Sequence, residues 1–185
     1  MTLVSTNWLN KNLGKVKIID ASWHLVKNRN AIEEYNKEHL EEALFFDLDK
    51  NSNSEKNLAH GHFLPSIVDH EKAMSEMGIL NTDRIIIYCY SDLISSCRAW
   101  FQFLYFGHDP KLVSVLNGGM KKWKLEGKKI TNLKTKVIPS NYIDKENKNM
   151  IKIKSQIEEN IKKEEFMILD ARSKNRFLGL EPEPR

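Results

Sequence analysis

The chain has 185 residues, of which 41% are hydrophobic and 29% are charged, and its formal net charge is +4. No apolar run approaches the roughly 18 residues of a membrane span, and we expect no secretory signal, since the first residues lack its basic, apolar and small-residue succession. Cys89 and Cys97 are too few for a disulfide framework and lack the spacing of a metal site. We therefore expect a globular protein of the reducing cytoplasm that binds no membrane, metal or other cofactor.

The positive charge is concentrated in residues 121–163, which contain 13 lysines against five acidic residues. These lysines stand singly among Asn, Glu and Ile rather than interleaved with aromatic residues, as is typical of a solvated surface. We therefore expect no nucleic-acid partner. Such a basic field would still attract small anionic substrates.

Strand-like and helix-like segments alternate along the first 130 residues. The predicted elements are a strand at 16–23, a helix at 28–43, a strand at 44–49, a helix at 66–79, a strand at 83–89, a helix at 95–107, a strand at 112–118 and a helix at 120–127. The run DRIIIYC is continuously apolar after its first two residues, as expected of a strand covered on both faces. The alternation predicts an α/β domain over residues 1–130, with a central, mostly parallel sheet and helices on both faces.

The rest of the chain is predicted to be a linker and an incomplete second unit. Residues 131–150 are rich in Lys, Asn and Ser and contain Pro139, which is typical of a linker. Residues 151–185 contain a predicted helix, SQIEENIKKEE, and a predicted strand, FMILDARS, which are too little to bury a core of their own. Because IIDASW and MILDARS look alike, we interpret them as the same element in two copies of one domain.

An ordered set of segments resembles the tandem-rhodanese sulfurtransferases. The set comprises VSTNWL, IIDASW, RNAIEEYNKEHLEEALFFDLD, HFLPS, MGI, IIIYC, RAWFQFLYFGH, VSVLNGGMKKWKLEG and LDARSKNRFLGLEPEPR. The resemblance implies a rhodanese-like domain followed by the start of a second one. It also implies transfer of sulfane sulfur from a small anionic donor to a thiol or cyanide acceptor through a cysteine persulfide.

The resemblance also bears on where the catalytic cysteine lies. In this family the first domain is ordinarily non-catalytic, and the catalytic cysteine opens a six-residue loop of the second domain. That position falls beyond Arg185, so we expect the remainder of the second rhodanese domain as a partner. We also expect residues 1–185 alone to be inactive. The alternative is a non-catalytic rhodanese-like binding or regulatory module.

Two arginines match positions at which the family binds its substrate. Arg176, in NRF, and Arg185, in EPEPR, are these matches, and a guanidinium suits a carboxylate because it can bind both oxygens. Members that use thiosulfate tend to lack the second arginine, so Arg185 favours 3-mercaptopyruvate as the donor, with thiosulfate as the alternative. Each arginine can also be interpreted as a surface residue, and Arg172 as the structural partner of a nearby carboxylate.

Within the first domain, the resemblance implies a proton relay. Asp49, in FFDLD, and His62, in HFLPS, match residues proposed to relay a proton together with a serine of the second domain, in the manner of general acid-base catalysis. The alternatives are that Asp49 is a turn residue and that His62 is a histidine at the edge of the core. His60 competes with His62 for the role.

Cys89 ends the predicted strand 83–89, which corresponds in the fold to the position of the catalytic cysteine. The loop after it, YSDLISS, has no glycine or arginine, and Ser95 stands where dual-specificity phosphatases of this fold need an arginine. Because cysteine is among the most often buried residue types, Cys89 is interpreted either as an inert thiol at a strand end or as a nucleophile. Cys97, inside the predicted helix, is interpreted as packing in the core or on the helix face.

Two local sequence features complete the comparison with the family. Glu41 and Glu42 replace the usual Pro-Gly in HLEEALFF, so the resemblance predicts the fold but not the path of this loop. NGG at 117–119 is interpreted as a tight turn between a strand and a helix rather than as a phosphate-binding loop, because it lacks further glycines.

Overall fold

The computed structural model describes residues 2–25, 28–53, 62–91 and 94–182. The chain divides into two compact units, Met1–Asn147 and Lys148–Arg185, and each is described by itself.

The first unit is built around a five-stranded sheet. As far as the structure describes the chain, the strands of the first unit are β1 (Leu3–Val4), β2 (Lys17–Asp20), β3 (His39–Leu40), β4 (Ala43–Phe45), β5 (Ile85–Tyr88), β6 (Val113–Leu116) and β7 (Ile130–Thr131). Five of them pair in the order β1-β6-β5-β2-β4, with every pairing parallel, while β3 and β7 form a separate antiparallel pair. In the described ranges, the helices of this unit are α1 (Thr6–Asn10), α2 (Ala31–Lys37), α3 (Ile67–Glu76), α4 (Ser96–Tyr105) and α5 (Gly119–Leu125).

The central strand β5 is buried on both faces, as its apolar sequence predicts. Successive side chains of a strand point to opposite faces. Ile85 and Ile87 accordingly pack with Phe103 of α4, whereas Tyr88 packs with Trp123 of α5 on the other face. The α/β prediction with helices on both faces of a parallel sheet is confirmed.

The helix predicted at 28–43 is shorter in the structure, where α2 ends at Lys37. Glu38 is extended, and His39 and Leu40 pair with β7 instead of continuing the helix. Glu42 then adopts a left-handed backbone, with φ of 63°, at the turn into β4. The helix prediction was too long because the buried side chains of β3 and β4 extended the apolar spacing of α2.

The segment predicted as a linker, 131–150, packs against the first unit over most of its length. Tyr142 is only 2% exposed, and its hydroxyl lies 2.8 Å from Nδ1 of His108. The Ser140 amide donates to the Ser75 carbonyl at the end of α3. The first compact unit therefore extends to Asn147. The composition did not indicate this, because the segment is mostly polar and has one large buried side chain.

The second unit contains the helices α6 (Lys154–Lys163) and α7 (Lys174–Phe177) and a short 3-10 helix, Lys148–Met150. The predicted helix SQIEENIKKEE is thus confirmed, with slightly different ends. The strand predicted at 166–173 is not formed, and Met167 and Leu169 are 83% and 82% exposed. A strand needs a neighbour for its backbone hydrogen bonds, and the structure pairs none with this segment within the residues it describes.

Candidate functional site

The carboxyl ends of the parallel strands meet at one edge of the sheet, where the loops that carry function usually lie in α/β proteins. Trp23 follows β2, Asp49 follows β4, and Cys89 and Ser91 follow β5. The site residues predicted in the first domain therefore come from neighbouring loops.

A chain of hydroxyl groups joins two of these loops. Ser91 Oγ accepts a hydrogen bond of 2.8 Å from the Trp23 amide and lies 2.9 Å from Ser95 Oγ. Ser95 Oγ in turn donates to the Ala21 carbonyl at 2.7 Å and is buried. Ser95 thus fastens the loop after β5 to the loop after β2, which holds Trp23 in place.

Asp49 and His62, which were predicted as a pair, are in contact. His62 Nε2 lies 2.8 Å from Asp49 Oδ1. Trp23 Nε1 donates to both carboxylate oxygens at 3.2 Å, and its ring lies edge-on to the imidazole with a centroid distance of 4.8 Å. The Asp49 side chain is 70% exposed, whereas that of His62 is 17% exposed. The carboxylate therefore orients the ring while the pair stays accessible from solvent.

The role of turn residue, which was the alternative for Asp49, is performed by Asp47. Asp47 Oδ1 accepts hydrogen bonds of 3.1 Å from the backbone amides of Asp49 and Lys50. An Asp side chain that bonds amides two and three residues ahead closes a local turn. The Asp49 carboxylate consequently remains directed to Trp23 and His62.

His62 has a left-handed backbone, with φ of 54°. Such a conformation is costly for a residue other than glycine and persists only where its surroundings hold it. One such contact is a hydrogen bond from the Arg98 guanidinium of α4 to the His62 carbonyl. Burial lowers the pKa of Arg98 from its ordinary value. The position of the ring thus depends on a residue that follows the Cys89 loop.

Sequence reasoning did not identify Trp23 and Arg98 as part of this site. Trp23 could have been found, because it closes the IIDASW motif at the end of a strand. Arg98 gives no such signal, since its contact with His62 joins residues 36 positions apart. The arrangement has the parts of a general acid-base pair: an imidazole and a carboxylate that orients it.

Cys89 opens into a different cavity from Asp49. Its cavity has a volume of about 470 Å³ and is lined by residues that include Arg29, Ser96 and Lys121. Cys89 Sγ donates to Ser96 Oγ at 3.5 Å. Asp49 lines a smaller cavity of about 240 Å³, together with Trp23 and His24. The two predicted catalytic groups therefore do not share one cavity.

The glycines of NGG form a tight turn, as predicted. Both are left-handed, with φ of 85° at Gly118 and 53° at Gly119. A Cβ atom at Gly119 would lie 2.5 Å from the Cys89 carbonyl oxygen, so only glycine fits there. The Cys89 carbonyl also accepts a hydrogen bond from the Met120 amide at 3.1 Å. Cys97, interpreted as packing in the core or on the helix face, is exposed on α4, so it does not lie in the core.

Within the second unit, Arg176 lies in α7 and its amide donates to the Ser173 hydroxyl that caps the helix. Arg172 pairs with Asp170, with Nη2 to Oδ2 at 2.7 Å and Nε to Oδ2 at 2.9 Å, and this pairing lowers the pKa of Asp170 to about 2. The interpretation of Arg172 as a structural partner is thereby confirmed. Arg185 and His60 lie outside the described residues.

The described part of the chain lacks two further kinds of feature. No helix there is long and apolar enough to cross a bilayer. No group of three or more His, Cys, Asp or Glu side chains in the same ranges could hold a metal ion.

Comparisons with known proteins give consistent results. Residues 5–126 match the model of the rhodanese-like domain. The chain is 35% identical over 207 residues to thiosulfate/3-mercaptopyruvate sulfurtransferase 2 of Arabidopsis thaliana, covering 98% of this chain and 59% of that protein. It is 32% identical over 192 residues to human 3-mercaptopyruvate sulfurtransferase, covering 99% and 63%. The chain thus spans about three fifths of the length of these relatives.

The structure is also similar to solved structures. It superposes with a TM-score of 0.87 and 26% identity on SseA from Escherichia coli, a protein described as a 3-mercaptopyruvate sulfotransferase, covering 96% of this chain and 68% of that one. Tum1 from Saccharomyces cerevisiae shares the fold with a TM-score of 0.83 at 23% identity, covering 100% and 65%. With the parallel sheet and the domain match over residues 5–126, the chain belongs to the rhodanese-like domain family.

Proposed function

We propose that this chain is part of a sulfurtransferase that moves sulfane sulfur from 3-mercaptopyruvate to a thiol or cyanide through a cysteine persulfide. The observation that carries the proposal is the Asp49–His62 pair, 2.8 Å apart at the carboxyl edge of the sheet. Curated relatives named as sulfurtransferases for 3-mercaptopyruvate and for thiosulfate support it. A cytoplasmic location stays a prediction, and it suits a reaction that needs reduced thiols.

The proposed reaction requires the Asp49–His62 pair to help deliver a proton to carbon. A thiolate attacks the sulfur of 3-mercaptopyruvate, an S–S bond forms, and the C–S bond breaks with its electron pair left on carbon. The resulting pyruvate enolate then takes up a proton. In this proposal Asp49 holds His62 Nε2, and His62 Nδ1 passes the proton through a hydroxyl of the second domain. The persulfide finally gives its outer sulfur to the acceptor.

The second unit would supply the substrate anchors. We propose that residues 151–185 are the start of a second rhodanese-like domain, joined by residues 131–150, and that Arg176 and Arg185 hold the substrate carboxylate. The exposed apolar side chains of Met167 and Leu169 support this, since a strand of this composition is normally covered by a sheet and its helices. The catalytic cysteine would then lie in the remainder of that domain.

The first experiment compares two lengths of chain. Residues 1–185 and a chain extended through the second domain are assayed for pyruvate release from 3-mercaptopyruvate with cyanide as acceptor. We expect turnover only in the extended chain. Turnover by residues 1–185 would contradict this, and its loss in Cys89→Ser but not in Cys97→Ser would assign the chemistry to the first domain.

The second experiment tests the relay in the extended chain. We expect Asp49→Asn and His62→Gln each to lower kcat about 100-fold, as for loss of a general acid-base group. Asp109→Asn, which changes an exposed carboxylate that caps its own turn, is the matched control. Full activity in both His62→Gln and Asp49→Asn would exclude the relay.

The donor is tested by comparing kcat/KM for 3-mercaptopyruvate and thiosulfate. We expect Arg185→Asp to lower kcat/KM for 3-mercaptopyruvate more than for thiosulfate, because only the former carries a carboxylate for a second arginine to bind. Equal losses for both donors would show that Arg185 does not discriminate between them and would refute the specificity argument.

A further inference from the structure

A second cavity lies at the opposite edge of the sheet from the Asp49–His62 pair. Its volume is about 580 Å³, and its walls come from the turn before β2, the residues just before β5 and the segment after β7. Lys17 is the first residue of β2, and Arg84 immediately precedes β5. The cavity is therefore at the amino-terminal ends of two central strands.

The walls of this cavity carry an excess of positive charge. The cationic side chains that line it are Lys15, Lys17, Arg84, Lys134 and Lys136. Among the residues that the structure describes, none of these five has a carboxylate oxygen within 4.0 Å of its charged nitrogens. Five cations from three separate segments thus surround one space without ion-pair partners there.

The carboxylates in the same walls do not balance this charge. Glu41 pairs with Lys129 at 2.8 Å, and Asp83 Oδ2 accepts a hydrogen bond from the Leu80 amide at 2.8 Å. Only Glu42, of the three acidic side chains that line the cavity, makes no such contact within the described residues. Five cations and three carboxylates leave the lining with a net charge of +2.

Arg84 gives a further, independent indication. Its guanidinium stacks over the Trp8 ring at 5.0 Å from the centroid, which fixes the side chain. Its Nε atom is buried and, within the described part of the chain, has no hydrogen-bond acceptor. Because this atom is closed to solvent, a ligand in the cavity would meet Arg84 through the exposed part of its side chain.

From these observations we propose that this cavity binds a small polyanion that carries two or more linked phosphate groups. Its volume lies within the range of ligand sites, about 300 to 1,000 Å³. The cations come from three separate segments of the wall, so an anion with linked phosphate groups can contact more of them at once than a single carboxylate or orthophosphate can. Arg84 would bind oxygens through its planar fork, and the lysines would act as point charges.

The first test measures binding of pyrophosphate to residues 1–185 by calorimetry at low ionic strength. Lys134 and Lys136 are exposed, so Lys134→Gln/Lys136→Gln should fold normally. We expect this pair of changes to weaken binding about tenfold. The matched control is Lys111→Gln/Lys145→Gln, which removes the same charge from exposed positions outside the cavity, and we expect it to change binding less than about twofold.

A second variant separates a built site from diffuse attraction. Arg84→Lys keeps the charge but removes the fork and the Nε donor, and we expect it to weaken pyrophosphate binding about fivefold. Thermal melting without ligand checks that this variant is folded. Orthophosphate serves as the single-phosphate probe, and we expect it to bind more weakly than pyrophosphate.

Several outcomes would overturn the proposal. Absence of pyrophosphate binding would do so directly, as would equal weakening by the two double variants. Orthophosphate that bound as tightly as pyrophosphate would exclude linked phosphates as the ligand class. Unchanged affinity in a folded Arg84→Lys variant would reduce the cavity to a region of diffuse positive potential.

Discussion

Within its described residues, the first unit contains two Asp–His pairs of the same length and opposite character. His62 Nε2 to Asp49 Oδ1 and His70 Nδ1 to Asp144 Oδ2 are each 2.8 Å. The Asp49 side chain is 70% exposed, whereas those of His70 and Asp144 are both 0% exposed. The distance between carboxylate and imidazole therefore does not distinguish a candidate proton relay from a structural pair. Access to solvent and substrate distinguishes the two kinds of pair.

The surroundings of the pairs explain their different roles. The His70 ring stacks on Phe106 at 4.0 Å, and its Nε2 has no hydrogen-bond partner within the described residues. Burial raises the pKa of Asp144, opposed by its hydrogen bonds with His70. This pair fastens the segment 131–147 to α3. The exposed pair instead faces open space beside Trp23, with His62 held in a left-handed backbone.

The largest expected effect is on the buried pair. We expect Asp144→Ala to lower the free energy of unfolding by about 3 to 5 kcal/mol, because it leaves a buried histidine without its partner. Urea unfolding followed by tryptophan fluorescence measures the change. A loss below about 1 kcal/mol would show that burial does not distinguish the two pairs.

The second prediction concerns pH and His108, which lies beside the buried pair. Burial lowers the pKa of His108, whose ring contacts the Tyr142 hydroxyl and the Asp83 carbonyl. The folded state therefore keeps this ring neutral, while the unfolded chain takes up its proton below a pH of about 6.5. Stability from this residue is complete above that pH and is lost as the pH falls toward the folded pKa.

The expected slope is at most about 1.4 kcal/mol per pH unit, the value for a single proton. Urea midpoints of the wild type and His108→Gln are compared at pH values from about 7.5 to 5. The variant should be less stable at neutral pH but lose less stability in acid. Parallel pH curves would assign the acid sensitivity to other groups.

The third prediction measures the cost of a left-handed residue. Glu42 and His62 have similar φ angles, 63° and 54°, but only His62 belongs to the candidate site. We expect Glu42→Gly to raise the free energy of unfolding by about 0.5 to 1 kcal/mol, since glycine adopts this backbone without strain. Glu42→Ala keeps the strain and is the control. Equal stability of the two variants would mean that no comparable cost is held at His62.

The smallest expected effect is on the stability of the exposed pair. Asp49→Ala should change the free energy of unfolding by about 0.5 kcal/mol or less, as is typical of solvent-exposed ion pairs. Urea unfolding of residues 1–185 provides the measurement. A loss comparable to that in Asp144→Ala would identify Asp49–His62 as a second structural pair and would weaken its assignment as a relay.

The parallel sheet was predictable because its strands are short apolar runs between turn signals. Contact between Asp49 and His62 was predictable only through the resemblance to a family, since no local pattern joins residues 13 positions apart. The end of α2 was missed because the strand residues after it are also apolar. The fit of Tyr142 and Asp144 into the first unit could not be predicted, since their partners lie far away in the sequence and their own segment is polar.

The packing of residues 131–147 has a practical consequence for anyone dissecting this protein. A fragment cut at residue 130, where composition suggests the domain ends, would lose Tyr142 and Asp144 and would leave His70 and His108 without their side-chain partners. A fragment that ends after Asn147 keeps both. The minimal first domain for expression or crystallisation is therefore set by two buried side chains rather than by the last element of the sheet.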